Sequence, residues 1–521
     1  MDYSKLQNGS DIRGIAIEGV PGEDVNIDAR VTNDIAFGFL AFLEAKTGKD
    51  AKDLRITIGR DPRLSGEALA KELVRGLSAG GASVLNYGLC STPAMFMSTL
   101  FPEIDADGAV MITASHLPFN RNGFKFFTKD GGLDKKDIKM ILATAEEHRA
   151  GAPADLPERG DAAAPSDDAL DLMTLYAAHL RKLIRDGLGV PEDADDPKPL
   201  SDLKCAVDAG NGAGGFYAER VLAPLGCDIS ASRYLEPDGH FPNHQPNPEN
   251  EEAMKAVIAA TTENGCDLGI IFDTDVDRSS AVDEHGREIN RNGIVAMAAA
   301  LIADRCPGTT VVTDSITSNE LHDFIEKDLG LKHYRFKRGY RNVINKSVEL
   351  NRDGTDSELA IETSGHAAFR SNHFLDDGAY LATLIVIRAA KLKAEGKGVS
   401  SVIASLKEPA ESVEIRMPLK AEDWQQAGDD VLGHVEAYFR EHPEVASGGG
   451  TLSFEIVEPN YEGIRLSVSG SVSGWFLLRK SLHDPLMPLN VESEEAGGTD
   501  VVRGILRDLL ADEPALDSSA L

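Results

Sequence analysis

A short apolar or β-branched run, a turn bearing Gly or Asp, and a stretch with helical spacing recur along most of this 521-residue chain. The runs include LRITIG, ASVLNYG, DGAVMITAS, LKCAVDAG, CDLGIIFD and TTVVTDS. Strand then helix, repeated, predicts an α/β architecture. The length predicts three or four domains rather than one core. An Ala/Pro/Asp-rich segment from Gly151 to Asp168 reads as a linker, and an amphipathic helix from Ala169 to Asp186, ended by Gly187, follows it. A second block begins near Leu203 and contains a hairpin, SSAVDEHGREI, turned across Glu284, His285 and Gly286. A third block begins near Thr309. Around Lys407 the pattern changes: EPAESVEIRMPL, FEIVEPNYEGIRLSVSG and WFLLRK read as strands flanked by helices, an α+β arrangement. The expected domains are therefore residues 1–160, 161–306, 307–410 and 411–521.

The formal net charge of −32 repels polyanions, which argues against nucleic-acid or anionic-membrane partners. A phosphorylated substrate would need local cationic pockets. Cys90, Cys205, Cys227, Cys266 and Cys306 show neither disulfide nor metal spacing, and no run of 18 apolar residues occurs. A reduced, cytoplasmic setting is the simplest expectation.

Chemistry concentrates in GIIFDTDVDRSSAVDEHG, where an apolar strand runs into Asp273, Asp275 and Asp277. Three carboxylates at alternate positions converge on one hard cation, and Mg²⁺ shares an oxygen shell of this kind with substrate phosphates. Arg278 could reach the same phosphate. Taken alone, the segment also reads as a solvated loop. As an EF-hand it has Arg278 where Gly is needed and a strand in front. As a haloacid-dehalogenase-type phosphatase motif it offers Asp273 as nucleophile but Asp277 where Thr or Val belongs. A second segment, AVMITASHLPFNRNGFKFF, carries a strand into Ser115 and His116, with Lys125 downstream. A serine there needs a base, or must already carry the group to be transferred; otherwise it is a turn serine beside a satisfied histidine.

Taken together, these motifs resemble the α-D-phosphohexomutases over nearly the whole length. Thr113, Ala114, Ser115, His116, Leu117, Pro118, Asn122, Gly123 and Lys125 are similar to that family's Thr-Ala-Ser-His-Asn-Pro signature with its downstream Asn-Gly and Lys, with Leu117 in place of Asn. Asp273 to Arg278 resemble its Asp-x-Asp-x-Asp-Arg loop, and Gly9 to Gly14 its N-terminal motif containing Arg13. GRDPRLSGEAL and PDGHFPNHQPNPE are further family landmarks. Glu362 to His366 resemble its sugar-recognition loop. Lys337 lies where a basic residue is found, and RKSLHDP, with Arg479, Ser481 and His483, resembles its phosphate-binding loop with Leu482, His483 and Asp484 substituted.

The resemblance implies four domains around a central cleft: three α/β domains with mixed sheets and a C-terminal α+β domain. It implies interconversion of hexose 1-phosphate and hexose 6-phosphate, of glucose or mannose, through a bisphosphate. Ser115 is then the phosphoserine and, with Asp273, Asp275 and Asp277, a ligand of Mg²⁺. Lys125 and His366 are the candidate base and acid, with Arg13, Arg278 and His116 beside them. Glu362, Ser364, Lys337, Arg479, Ser481 and His483 bind substrate, hexose 1,6-bisphosphate is the activator, and the chain is a monomer or homodimer. A phosphoglucosamine mutase, a bisphosphate synthase, a phosphatase using Asp273 and a non-catalytic sugar-phosphate binder remain open alternatives.

Overall fold

The computed structural model describes residues 2–151, 171–191, 193–195, 197–447, 450–481 and 484–521. The chain divides into two compact units, Met1–Leu301 with Ser364–Val402, and Ile302–Thr363 with Ile403–Leu521. The expected linker beyond Gly151 lies outside the described residues.

The first unit holds two mixed sheets. In one, Arg55–Arg60 lies between Ser83–Leu89 and Gly108–Ile112, all parallel. Arg121–Thr128 then adds antiparallel to Gly108–Ile112, and Asp11–Ile15 antiparallel to Arg121–Thr128. All five positions of Gly108–Ile112 are buried, so the run is apolar on both faces and needs cover on both. Helices Ala29–Thr47, Gly66–Ala79 and Lys135–Gly151 supply much of it; Phe39 and Phe126 meet with ring centroids 4.7 Å apart in the shared core.

In the second sheet Cys205–Asp208 runs parallel to Leu268–Phe272, and Ser279–Val282 and Glu288–Ile289 follow antiparallel. The last pair is the expected hairpin. The helix after the linker spans Leu172–Gly187: Asp171 caps it by accepting from the Met173 N–H, and Gly187 is its last residue rather than its stop. It packs on helix Gly378–Ala394 of the same unit.

The second unit contains a parallel trio, Lys332–Arg335, Thr310–Thr313 and Ser357–Ile361, and a six-stranded antiparallel sheet. Gly450–Ile456 alternates buried and exposed positions, as a strand with one covered face must. Helices Trp424–Glu441 and Gly498–Leu510 cover that face, burying Val435 and Leu506 against Phe454, Phe476 and Leu489. This is the expected α+β lobe. No disulfide is formed, and among the described residues no helix is long and apolar enough to cross a membrane.

Candidate active site

Strand Leu268–Phe272 leaves its sheet at Asp273 and returns antiparallel as Ser279–Val282. The six intervening residues make a tight turn in which Val276 takes a left-handed φ of 69°. The turn gathers Asp273, Asp275 and Asp277, all buried, with carboxylate oxygens within 4.8 Å of one another. A strand on each side, not a helix, removes the EF-hand reading.

The buried strand Gly108–Ile112 delivers Ser115 to this turn. Its backbone is also left-handed, at φ 52°. Ser115 Oγ donates to Asp273 Oδ2 at 3.1 Å and accepts from Arg278 Nη2 at 3.0 Å. On the neighbouring strand Lys125 is buried, pairs with Asp277 and lies 3.1 Å from Asp275 Oδ2. His116 Nδ1 accepts from Arg278 Nη2 at 2.7 Å. His366 Nδ1 donates to Asp376 Oδ2 at 2.5 Å and stands 3.9 Å from Asp277 Oδ1. Arg13 pairs with Asp11 at 2.8 Å, close enough for its charge to act on His116. Ser115, His116, Lys125, Arg278, His366, Arg13 and the three aspartates thus share one neighbourhood of the first unit.

Electrostatics separates these groups. Burial, and then the Arg278 guanidinium, push the His116 imidazole down to about 2, so it is a neutral acceptor. Burial would also lower His366, but the Asp376 and Asp277 carboxylates outweigh it and hold the imidazolium up to about 9. Burial and the charge of Asp277 push Asp273 well above the carboxylate range, and Arg278 offsets only part of that. For Asp277 the balance reverses: burial raises it, but Lys125, His366 and Arg278 hold it well below the usual value. Asp275 Oδ1 and Asp277 Oδ1 are buried without a hydrogen-bond partner among the described residues. Three converging buried carboxylates, two of them with open acceptor oxygens, fit a hard divalent cation.

The other predicted substrate residues lie mainly on the second unit. Glu362 Oε1 accepts from the Gly339 N–H at 2.7 Å, and Lys337 Nζ sits 5.6 Å from the Phe336 ring centre. Arg479 is buried, its charge near Arg338, Glu462, Glu414 and Asp314, and its Nε has no hydrogen-bond partner among the described residues. Ser481 Oγ accepts from the Asp484 N–H at 3.3 Å. Ser364 is buried and belongs to the first unit. His483 lies outside the described residues.

Three domain families described as phosphoglucomutase/phosphomannomutase alpha/beta/alpha domains I, II and III match residues 4–151, 187–286 and 290–409. A phosphoglucosamine mutase of Lactobacillus johnsonii is 30% identical over 392 residues, covering 74% of this chain and 79% of that protein. The chain belongs to the α-D-phosphohexomutase superfamily. A phosphomannomutase/phosphoglucomutase of Pseudomonas putida is 26% identical over 506 residues, 97% of this chain and 96% of that protein. The crystal structure of a phosphoglucomutase/phosphomannomutase family protein from Burkholderia thailandensis shares the fold, with TM-score 0.75 over 99% of this chain and 100% of that one at 24% identity. As a phosphohexomutase the protein is an isomerase of hexose phosphates.

Several residues around this phosphohexomutase site carry no role in the sequence reading. Thr92 donates to Asp275 Oδ2 at 2.5 Å, and Asn247 accepts from Arg278 Nη1 at 3.4 Å. Asp376 holds His366, and Arg63 binds the carbonyls behind Ser115. Arg63 and Asn247 sit inside the two landmark motifs, and Asp376 opens an Asp-Asp-Gly step before a helix, so those strings were the available signal. Thr92 offers none.

Proposed function

We propose that Ser115 carries a phosphoryl group and exchanges it with the 1- and 6-hydroxyls of glucose or mannose phosphate. The observation behind this reading is the 3.1 Å hydrogen bond from Ser115 Oγ to Asp273 Oδ2, beside the open oxygens of Asp275 and Asp277. Asp273, Asp275 and Asp277, with the Ser115 phosphate, would hold Mg²⁺, which when bound neutralises charge on the moving phosphoryl group. In the first half-cycle the bond from phosphorus to Ser115 Oγ breaks and a bond to the sugar hydroxyl forms, giving a hexose 1,6-bisphosphate. Lys125, as the neutral amine, takes the hydroxyl proton and the His366 imidazolium returns one to Ser115 Oγ; the second half-cycle, on the other phosphate, restores both. Arg278, which now donates to Ser115 Oγ, and Arg13 hold phosphoryl oxygens, while neutral His116 accepts from Arg278 and keeps it aimed.

Glu362 and Ser364 recognise sugar hydroxyls, and Lys337, Arg479, Ser481 and His483 the phosphate that is not transferred. The Nε of buried Arg479, without a partner among the described residues, supports an anion there. A hexose 1,6-bisphosphate primes the serine. An Asp273 phosphatase is disfavoured because Asp273 Oδ2 already accepts from Arg278 Nε and Nη2 as well as from Ser115. A coupled assay on glucose 1-phosphate, mannose 1-phosphate and glucosamine 1-phosphate tests the reading, together with peptide mass spectrometry after glucose 1,6-bisphosphate. Phosphate on Ser115 and loss of turnover in Ser115→Ala are expected. Full activity of Ser115→Ala, or free phosphate as the product, would overturn it.

A further inference from the structure

The two landmark motifs left without a chemical role, GRDPRLSGEAL and PDGHFPNHQPNPE, meet at one side chain. Arg63 is 1% exposed, and its guanidinium spends its hydrogens on the main chain of the serine turn. Nη2 donates to the carbonyls of Ser115 at 2.5 Å and Leu117 at 2.6 Å, and Nη1 to those of Pro118 at 2.8 Å and Arg121 at 3.1 Å. We propose that Arg63, roofed by Phe241, is the positioning residue that holds the phosphoserine turn in its reactive conformation. The inference rests on the reading of Ser115 as the phosphate carrier.

The turn has reason to need a clamp. Ser115 sits at φ 52°, a left-handed conformation that a residue with a Cβ leaves when nothing opposes it. The residues after it, through Asn120, are a loop that leads into strand Arg121–Thr128, and a loop supplies few backbone partners of its own. Four carbonyls pointing at one planar fork give them partners and lock their mutual spacing, a geometry that suits guanidinium and that a lysine ammonium cannot span.

Asp61, just past strand Arg55–Arg60, fixes the fork in turn. It pairs with Arg63 Nε at 3.3 Å, accepts from the Arg63 N–H at 3.0 Å, and accepts from Thr113 Oγ1 at 2.7 Å. Thr113 Oγ1 itself accepts from the Ser115 N–H at 2.9 Å. The ends of two adjacent parallel strands are thereby stapled together at the position where such sheets place their ligands.

The second motif lies over the first. The Phe241 ring centre is 5.4 Å from the Arg63 guanidinium carbon. Gly239 lets the loop come this close, since a Cβ there would stand 2.3 Å from the Pro62 carbonyl oxygen. Gln245 then donates to the His116 carbonyl, and Asn247 accepts from Arg278 Nη1 at 3.4 Å. A buried ion pair, His244 Nε2 to Asp208 Oδ1 at 3.0 Å, anchors the loop to its own sheet. A buried Arg–Asp pair contributes little stability relative to an apolar packing, so its value here is geometric.

The test compares full-length wild type, Arg63→Lys, Arg63→Met and Phe241→Ala, with active sites counted by phosphate on Ser115 after incubation with glucose 1,6-bisphosphate. Per phosphorylated site, Arg63→Lys is expected to lose about 100-fold in kcat with KM within about threefold, the signature of a displaced nucleophile. Arg63→Met loses at least as much, and Phe241→Ala between about threefold and tenfold in the same pattern. Wild-type kcat per phosphorylated site in Arg63→Lys and Phe241→Ala, whatever their thermal stability, would reduce Arg63 to a stability element and overturn the proposal. If the Arg63 variants do not fold, Phe241→Ala alone decides. Absence of phosphate from Ser115 of the wild type would instead remove the underlying reading.

Discussion

Two buried carboxylates in this phosphohexomutase answer to opposite neighbours. Asp277 faces the ammonium of Lys125 and the charges of His366 and Arg278, and stays ionised. Glu492 has neutral donors for company, Trp475 Nε1 at 2.8 Å and Ser412 Oγ at 3.1 Å, and burial pushes it up to about 7 while Arg465 recovers only part. A carboxyl raised in the folded state makes the fold bind a proton that the unfolded chain has already released. Its contribution is complete below about pH 4.5 and is lost as pH rises through about 7, a change on the order of 3 kcal/mol. Glu492→Gln keeps an acceptor for Trp475 and has no charge to bury. Its urea midpoint, followed by tryptophan fluorescence, is expected to fall less between pH 5 and pH 8.5 than that of wild type, and to lie above it at pH 8.5. Parallel pH profiles for the two proteins would count against this account.

At the scale of elements, the aspartate turn is shaped as much by a helix as by its own strands. Gly378 opens helix Gly378–Ala394, its N–H donates to the Val276 carbonyl at 3.1 Å, and a Cβ on it would lie 2.5 Å from the Arg278 carbonyl carbon. Gly378→Ala must push either the helix or the turn, at a cost of about 1–3 kcal/mol. The expected result is at least a tenfold loss of kcat, with the tryptophan-reported transition of the second unit unmoved; wild-type kcat would show that the turn yields freely. This packing also marks what sequence could tell. The aspartate triplet and the serine turn were legible because each is contiguous and follows an unmistakable apolar strand. Thr92, 183 residues from Asp275, and Asp376 were not, because their roles arise only when separate strand ends and helix starts converge. Helix Leu172–Gly187 starts inside the span read for it because Asp171 caps it; Ala169 and Leu170 lie outside the described residues. The α+β lobe was legible from alternation alone, since one covered face imposes a period of two.

At the scale of the molecule, the candidate cation ligands all belong to the first unit, whereas both tryptophans, Trp424 and Trp475, belong to the second. Cation binding and tryptophan emission therefore report on different bodies. A ligand that binds only the folded state at about 100 times its Kd stabilises that state by about 2.7 kcal/mol. For a unit of this size, with an unfolding entropy of about 0.7 kcal/mol/K, that moves a melting transition by about 4 °C. Mg²⁺ added to chelator-treated protein is expected to raise the calorimetric transition of the first unit by that amount and to leave the fluorescence transition where it was. Asp275→Asn, which removes one carboxylate charge from the triplet, should show little of the rise. The net charge of −32 supplies the competing explanation, diffuse cation binding to an acidic surface. Diffuse binding would move both transitions and would survive Asp275→Asn, so the two transitions and the one variant separate a built site from a charged exterior.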